Sequence, residues 1–116
     1  MMTKDIIAKA CKQYRTPLYL YDLDEFRENI FKLKSHLPAG SGLYFSIKAN
    51  PLQKLCEIAF HSGCGAEIAS DGELNIALKA GLSPENIVFT GPGKTEHELE
   101  QAIHAGICMI NVEKYK

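Results

Sequence analysis

The 116-residue sequence has no tryptophan, no Cys-x-x-Cys pair and no excess of either charge, and none of its apolar runs is long enough to span a bilayer. Lys+Arg number 13 against 14 Asp+Glu, a formal charge of -1, with the two signs interspersed. That balance argues against a nucleic-acid footprint and against a polybasic membrane patch, and suits a small partner molecule. The opening residues, Met1 to Asp5, lead into a short amphipathic segment rather than a signal-peptide apolar region, so a cytoplasmic location is expected. The four cysteines (Cys11, Cys56, Cys64, Cys108) are scattered and read as free thiols, two of them within apolar runs. His61-x-x-Cys64 has the spacing of half a metal site, but no second pair completes it. A helix end followed by a turn is the preferred reading there, and no metal is expected.

Hydrophobic residues make up 46% of the chain, enough for the core of one ordinary domain. Apolar positions at Ile6, Ile7, Ala10, Cys11 and Tyr14 have helical spacing, so Lys4 to Arg15 reads as an amphipathic helix stopped at Thr16-Pro17. Leu18 to Tyr21 reads as a short strand. Asp22 with Glu25 resembles a capping box for a second helix carrying Phe26, Ile30, Leu33 and Leu37. Pro38 to Gly42 ends it, closing an N-terminal helix-strand-helix segment, 1–42.

From residue 43 to 116 a different rhythm takes over. Leu43 to Ile47 is β-branched and aromatic, as a buried strand requires, and Asn50-Pro51 breaks it. A helical stripe follows: Leu52, Leu55, Cys56, Ala59 and Phe60. Gly65 to Ala69 is the next strand; Ser70 with Glu73 caps a helix bearing Leu74, Ala77 and Leu78 that stops at Gly81. Ile87 to Thr90 is a third strand, Gly91 to Lys94 a loop, and Thr95 with Glu98 caps a helix carrying Leu99, Ala102 and Ile103 up to Gly106. Ile107 to Val112 is a fourth strand, after which another strand-to-helix step begins at Val112 to Lys116. Strands recur about every 21 residues, a βα period that implies a parallel sheet with right-handed crossovers. The period alone fits both a TIM-type barrel and an open doubly wound sheet.

Parallel strands bring their carboxyl ends to one rim, where ligands bind in such folds. Lys48 with Asn50, Glu67 to Ser70, Thr90 to Lys94, and Asn111 to Glu113 would share that rim. Lys48 stands out because a desolvated lysine can act as a nucleophile toward an aldehyde or ketone; the plain alternative is a side chain that snorkels to water. Ser70, Gly91 and Lys94 are candidates to lie near a substrate. Gly91-Pro92-Gly93-Lys94-Thr95 at a helix start could hold an anion, though a tight turn explains it equally and the spacing is not that of a P-loop. The four histidines lie at helix ends or on a charged face, and none makes a convincing base.

Five segments, Thr16 to Asp22, Tyr44 to Asn50, Gly65 to Leu74, Ile87 to Lys94 and Ile110 to Glu113, together resemble the fold-type III pyridoxal-phosphate decarboxylases of the diaminopimelate, ornithine and arginine group. The likeness is strongest to the diaminopimelate decarboxylase branch, and the order and spacing match over nearly the whole chain. The resemblance implies an α/β fold, the first four βα units of a (β/α)8 barrel. It also implies a Schiff base between Lys48 and pyridoxal phosphate, with Asn50 and Glu67 at the cofactor. Glu67 stands where the family usually has aspartate. The family's later phosphate loop, its ring-stacking histidine, the acid at the ring nitrogen and its C-terminal β domain have no counterpart here. The expectation is therefore an N-terminal portion of a homodimeric enzyme, with little or no decarboxylase activity by itself. The substrate class implied is a basic, diamino or carrier-bound amino acid. A fold-type III racemase and a non-catalytic half-barrel module are the alternatives.

Overall fold

The computed structural model describes residues 1–114, so the step expected at Val112 to Lys116 runs into Tyr115 and Lys116, which lie outside the described residues. The chain divides into two compact units, Met1–His36 and Leu37–Lys116.

In the first unit, helix α1 spans Lys4–Tyr14 and α2 spans Leu23–Ser35. Both begin as short polar caps dictate: Thr3 accepts from the Ile6 N–H, and the Asp22 carboxylate accepts from the Glu25 N–H at 3.0 Å. Asp22 also pairs with the terminal amine of Met1 at 3.1 Å. Leu18 to Tyr21, expected as a strand, pairs with no other strand of the described residues. Aromatic β propensity favours an extended chain, but a strand is defined by its ladder, and none is offered here. Burial is also thinner than the apolar stripe suggested. Ile30 is the one buried residue of α2, α1 has none, and Leu33 remains 58% exposed.

The second unit is a four-stranded sheet, β1 (Tyr44–Ser46), β2 (Gly65–Ile68), β3 (Ile87–Phe89) and β4 (Met109–Ile110), all parallel and ordered as in sequence. That order has no reversal, and a doubly wound sheet needs one to create its ligand crevice. The architecture is therefore the progressive winding of a barrel. Helices α3 (Gln53–His61), α4 (Asp71–Lys79) and α5 (Glu96–Ala105) follow the first three strands. Register puts Phe45, Ala66 and Ile87 in one row and Ile68, Phe89 and Ile110 in another. Ala66, Ile68, Ile87 and Phe89 are completely buried, together with Cys56 and Ala59 of α3, Ala77 of α4 and Ala102 of α5. Each large member of this core contributes roughly 1.5–3 kcal/mol by leaving water.

The opposite face carries Tyr44, Ser46, Gly65, Glu67, Val88 and Met109; Tyr44 is 44% and Met109 50% exposed, while Val88, between Glu67 and Met109, is buried. A Cβ on Gly65 would meet Tyr44 Cε1 at 2.5 Å and the Asn86 carbonyl oxygen at 2.7 Å, so the tyrosine ring lies over a position that has room only for hydrogen. Leu78 and Ile103, expected in the core, are 36% and 68% exposed: each follows the core-facing Ala77 or Ala102 by one residue, a turn of 100° around the helix. A 3-10 turn at Pro84–Asn86 leads into β3.

Candidate functional site

β1 ends at Ser46, and Lys48 sits in the 3-10 turn Ile47–Ala49 that follows rather than in the strand itself. The buried Ile47 anchors that turn into the core. Lys48 is exposed, at the carboxyl end of the strand. Asn50 is extended, and its side-chain oxygen accepts from the Leu52 N–H at 3.1 Å, guiding the chain into α3.

Beside it, β2 presents Glu67, paired in register with Ser46 on one side and Val88 on the other. The ladder continues past β3, the Thr90 N–H donating to the Ile68 carbonyl at 2.8 Å, and this brings the Thr90 hydroxyl to Glu67 Oε1 as a donor. Three strands thus converge on one carboxylate. The Ser46 and Thr90 hydroxyls, and then the charge of Lys48, hold Glu67 below the ordinary glutamate range against a smaller opposing effect of burial. Glu67 and Lys48 interact through space; among the described residues no ion pair within 4.0 Å joins them.

The other rim residues are held by their own loops. Ser70 caps α4 by accepting from the Glu73 N–H at 3.2 Å, while the Glu73 carboxylate reaches back to the Ala69 N–H at 2.7 Å. Gly91 has φ +103°, a conformation glycine reaches without strain, and packs against Ala69. Lys94 Nζ donates to the Gly91 carbonyl and lies 5.5 Å from the centroid of the Phe89 ring. At the start of α5 a full capping box is formed: Thr95 N–H donates to Glu98 at 2.9 Å and Glu98 N–H to the Thr95 hydroxyl at 3.2 Å. These two donors are thereby taken, which favours the tight-turn reading of the glycine-rich loop over an anion cradle. A cleft of about 390 Å³ opens between this loop and the end of β4, lined by Lys94, Asn111 and Glu113 among others. Lys48 and Glu67 are thus brought together, Gly91 and Lys94 are brought together, and no bond among the described residues joins the two groups. Ser46 was not singled out from the sequence. The signal lay in strand alternation, which puts it on the face of its strand opposite Phe45 and in the row of Glu67.

Among the described residues no cluster of three metal-ligating side chains occurs, and no helix is long and apolar enough to cross a membrane.

A sequentially wound parallel β/α sheet with a lysine just beyond its first strand and a carboxylate on the next defines a lysine-bearing portion of a TIM-type barrel. The chain belongs to the pyridoxal-dependent decarboxylases: the family model described as the pyridoxal binding domain of these enzymes matches residues 23–116. It is 42% identical over 107 residues to the L-glutamyl-[BtrI acyl-carrier protein] decarboxylase of Niallia circulans, covering 92% of this chain and 25% of that protein. To the diaminopimelate decarboxylase of Helicobacter pylori strain J99 it is 38% identical over 103 residues, 88% of this chain and 25% of that one. The crystal structure of Helicobacter pylori diaminopimelate decarboxylase complexed with L-lysine superposes with a TM-score of 0.86 at 35% identity, covering 93% of this chain and 28% of that chain. A lysine/ornithine decarboxylase from Vibrio vulnificus shares the fold at a TM-score of 0.89 and 22% identity, covering 99% of this chain and 32% of that one. The chain spans about a quarter of the length of the curated relatives it matches.

The donor set fits the aldehyde end of pyridoxal phosphate. A primary amine that makes no ion pair among the described residues is available for a carbonyl carbon, and an anchored carboxylate stands close enough to feel its charge.

Proposed function

We propose that this chain supplies the lysine-bearing part of a pyridoxal-phosphate-dependent amino-acid decarboxylase acting on a diamino or carrier-bound amino acid. The observation that carries the reading is the convergence of Lys48 and Glu67 at the carboxyl ends of adjacent parallel strands. Lys48 would hold the cofactor, and Glu67, kept anionic by Ser46 and Thr90, would set the charge beside it. When bound, pyridoxal phosphate supplies an electron sink for the pair of electrons left as carbon dioxide departs. Asn50 shapes the turn that presents Lys48, and Ser70, Gly91 and Lys94 would border the substrate.

The choice of substrate class is supported by the relatives at 38 and 42% identity, one a diaminopimelate decarboxylase and the other acting on a glutamyl carrier protein. The free cysteines suit a reducing, cytoplasmic setting, and a homodimeric parent enzyme goes with the family reading. Decarboxylation on a bound cofactor needs water excluded from around it, and the chain alone is expected to show little or no turnover.

Replacing Lys48 by alanine in the full-length protein tests the assignment. The expected result is loss of the visible absorbance of lysine-bound cofactor and a fall in carbon dioxide release by several orders of magnitude. Unchanged absorbance and turnover would refute it. Product formed without carbon dioxide by the native enzyme would point instead to a racemase.

A further inference from the structure

A lysine that closes into an ion pair with a neighbouring carboxylate is held in its protonated form, and an ammonium has no lone pair to offer a carbonyl group. Here the pair is not closed. Glu67 gives one oxygen to the Thr90 hydroxyl, which is fixed by the Thr90 N–H bond to Ile68, and on its other side stands Ser46, its register partner on β1, whose hydroxyl helps hold the carboxylate below the ordinary glutamate range. Ser46 ends β1 and Thr90 directly follows β3, the two strands that flank β2. Lys48, two residues beyond Ser46 in the 3-10 turn, feels the charge but is not bonded to it.

We propose that Ser46 and Thr90 are positioning residues that restrain Glu67 from closing a salt bridge onto Lys48, and so keep the lysine amine available to an incoming aldehyde. The inference rests on Lys48 being the reactive lysine, as proposed above. The part of Ser46 and Thr90 is to tie the Glu67 carboxylate to the neighbouring strands.

The test is reductive methylation of the cofactor-free full-length protein with formaldehyde and cyanoborohydride at neutral pH, with the modification of Lys48 followed over time by peptide mass spectrometry. Formaldehyde replaces the cofactor as the probe, so the readout does not depend on turnover. In the double variant Ser46→Ala/Thr90→Val the carboxylate is released toward the amine, and Lys48 should react roughly tenfold more slowly, the effect expected of a newly formed close ion pair. Adding Glu67→Gln to that background removes the charge and should restore the native rate. Thr90→Ser, which keeps the hydroxyl, should react as the native protein does. Equal or faster labelling in the double variant overturns the proposal, as does slow labelling that Glu67→Gln does not restore. Should the double variant fold poorly by circular dichroism, Ser46→Ala and Thr90→Val are read singly, and each must slow Lys48. Cofactor uptake by the native protein is measured in parallel. If no pyridoxal phosphate binds but the clamp variants still show slowed, Gln-rescued labelling, the cofactor assignment falls and the clamp stands.

Discussion

Glu67 shows how a half-exposed carboxylate is kept charged without a salt bridge. Two hydroxyls and a nearby ammonium stabilise the anion more than burial opposes it, so its pKa in the folded state lies below its value in the unfolded chain. Linkage gives the sign: such a group adds stability that is fully present above the unfolded-state pKa and is lost as pH falls through the folded one. Glu67→Gln should therefore lower stability near neutral pH and flatten its decline on acidification. Denaturant midpoints of native and variant proteins, measured from neutral pH down through the carboxylate range, check this. The gap between them should narrow with acid, and a constant gap would show that Glu67 titrates as it does when unfolded. His97, by contrast, lies 3.9 Å from Asp71 on the exposed sides of α5 and α4, a surface pair of little energetic weight.

At the scale of elements, the sheet positions the site through close backbone approach as much as through side chains. Gly65 opens β2 under the Tyr44 ring, and a methyl group there would clash with that ring and with the Asn86 backbone. Tyr44 can swing aside, but the carbonyl is fixed between the Pro84–Asn86 turn and β3. Gly65→Ala should cost about 1–3 kcal/mol, the usual effect of overpacking, and loosen the register of β1 on β2 that sets Ser46 beside Glu67. Thermal unfolding measures the first effect and the rate of Lys48 methylation the second. The strands, their caps and their order along the chain were legible in the sequence because alternation, Ser70 and Thr95 caps and glycine stops all speak locally. Leu18 to Tyr21 misled because its aromatic residues state a preference for extension but cannot name a partner strand. Leu33 and Ile103 misled for a related reason, since helical spacing marks a face without saying whether anything covers it. At the candidate site, the rim position of Lys48 was legible from the strand that leads to it, though not the 3-10 turn that carries it. The Ser46 and Thr90 contacts were not, because they depend on a register that pairs residues more than twenty positions apart.

For the molecule as a whole, burial is distributed unevenly, and stability should follow. Among the described residues, the fully buried side chains all belong to the unit Leu37–Lys116, with Phe89, Ile47, Ile68, Ile87 and Cys56 the largest. The unit Met1–His36 has Ile30 alone as a buried apolar residue, while Ile6, Tyr14 and Phe31 are more than half exposed. Local opening free energies track such differences, so the 116-residue chain should open from its N-terminal helices and last from the centre of its sheet. Amide hydrogen exchange should find the backbone N–H groups of β2 and β3 the most protected and those of α1 among the least. Mutation gives an independent reading of the same gradient. Phe89→Ala removes a completely buried ring and should cost about 3–5 kcal/mol, whereas Phe31→Ala, from a ring 54% exposed, should change stability by no more than about 0.5 kcal/mol. If the two phenylalanines proved equally costly, or if α1 exchanged as slowly as β3, the stability of this chain would lie outside the core that its sheet and helices enclose.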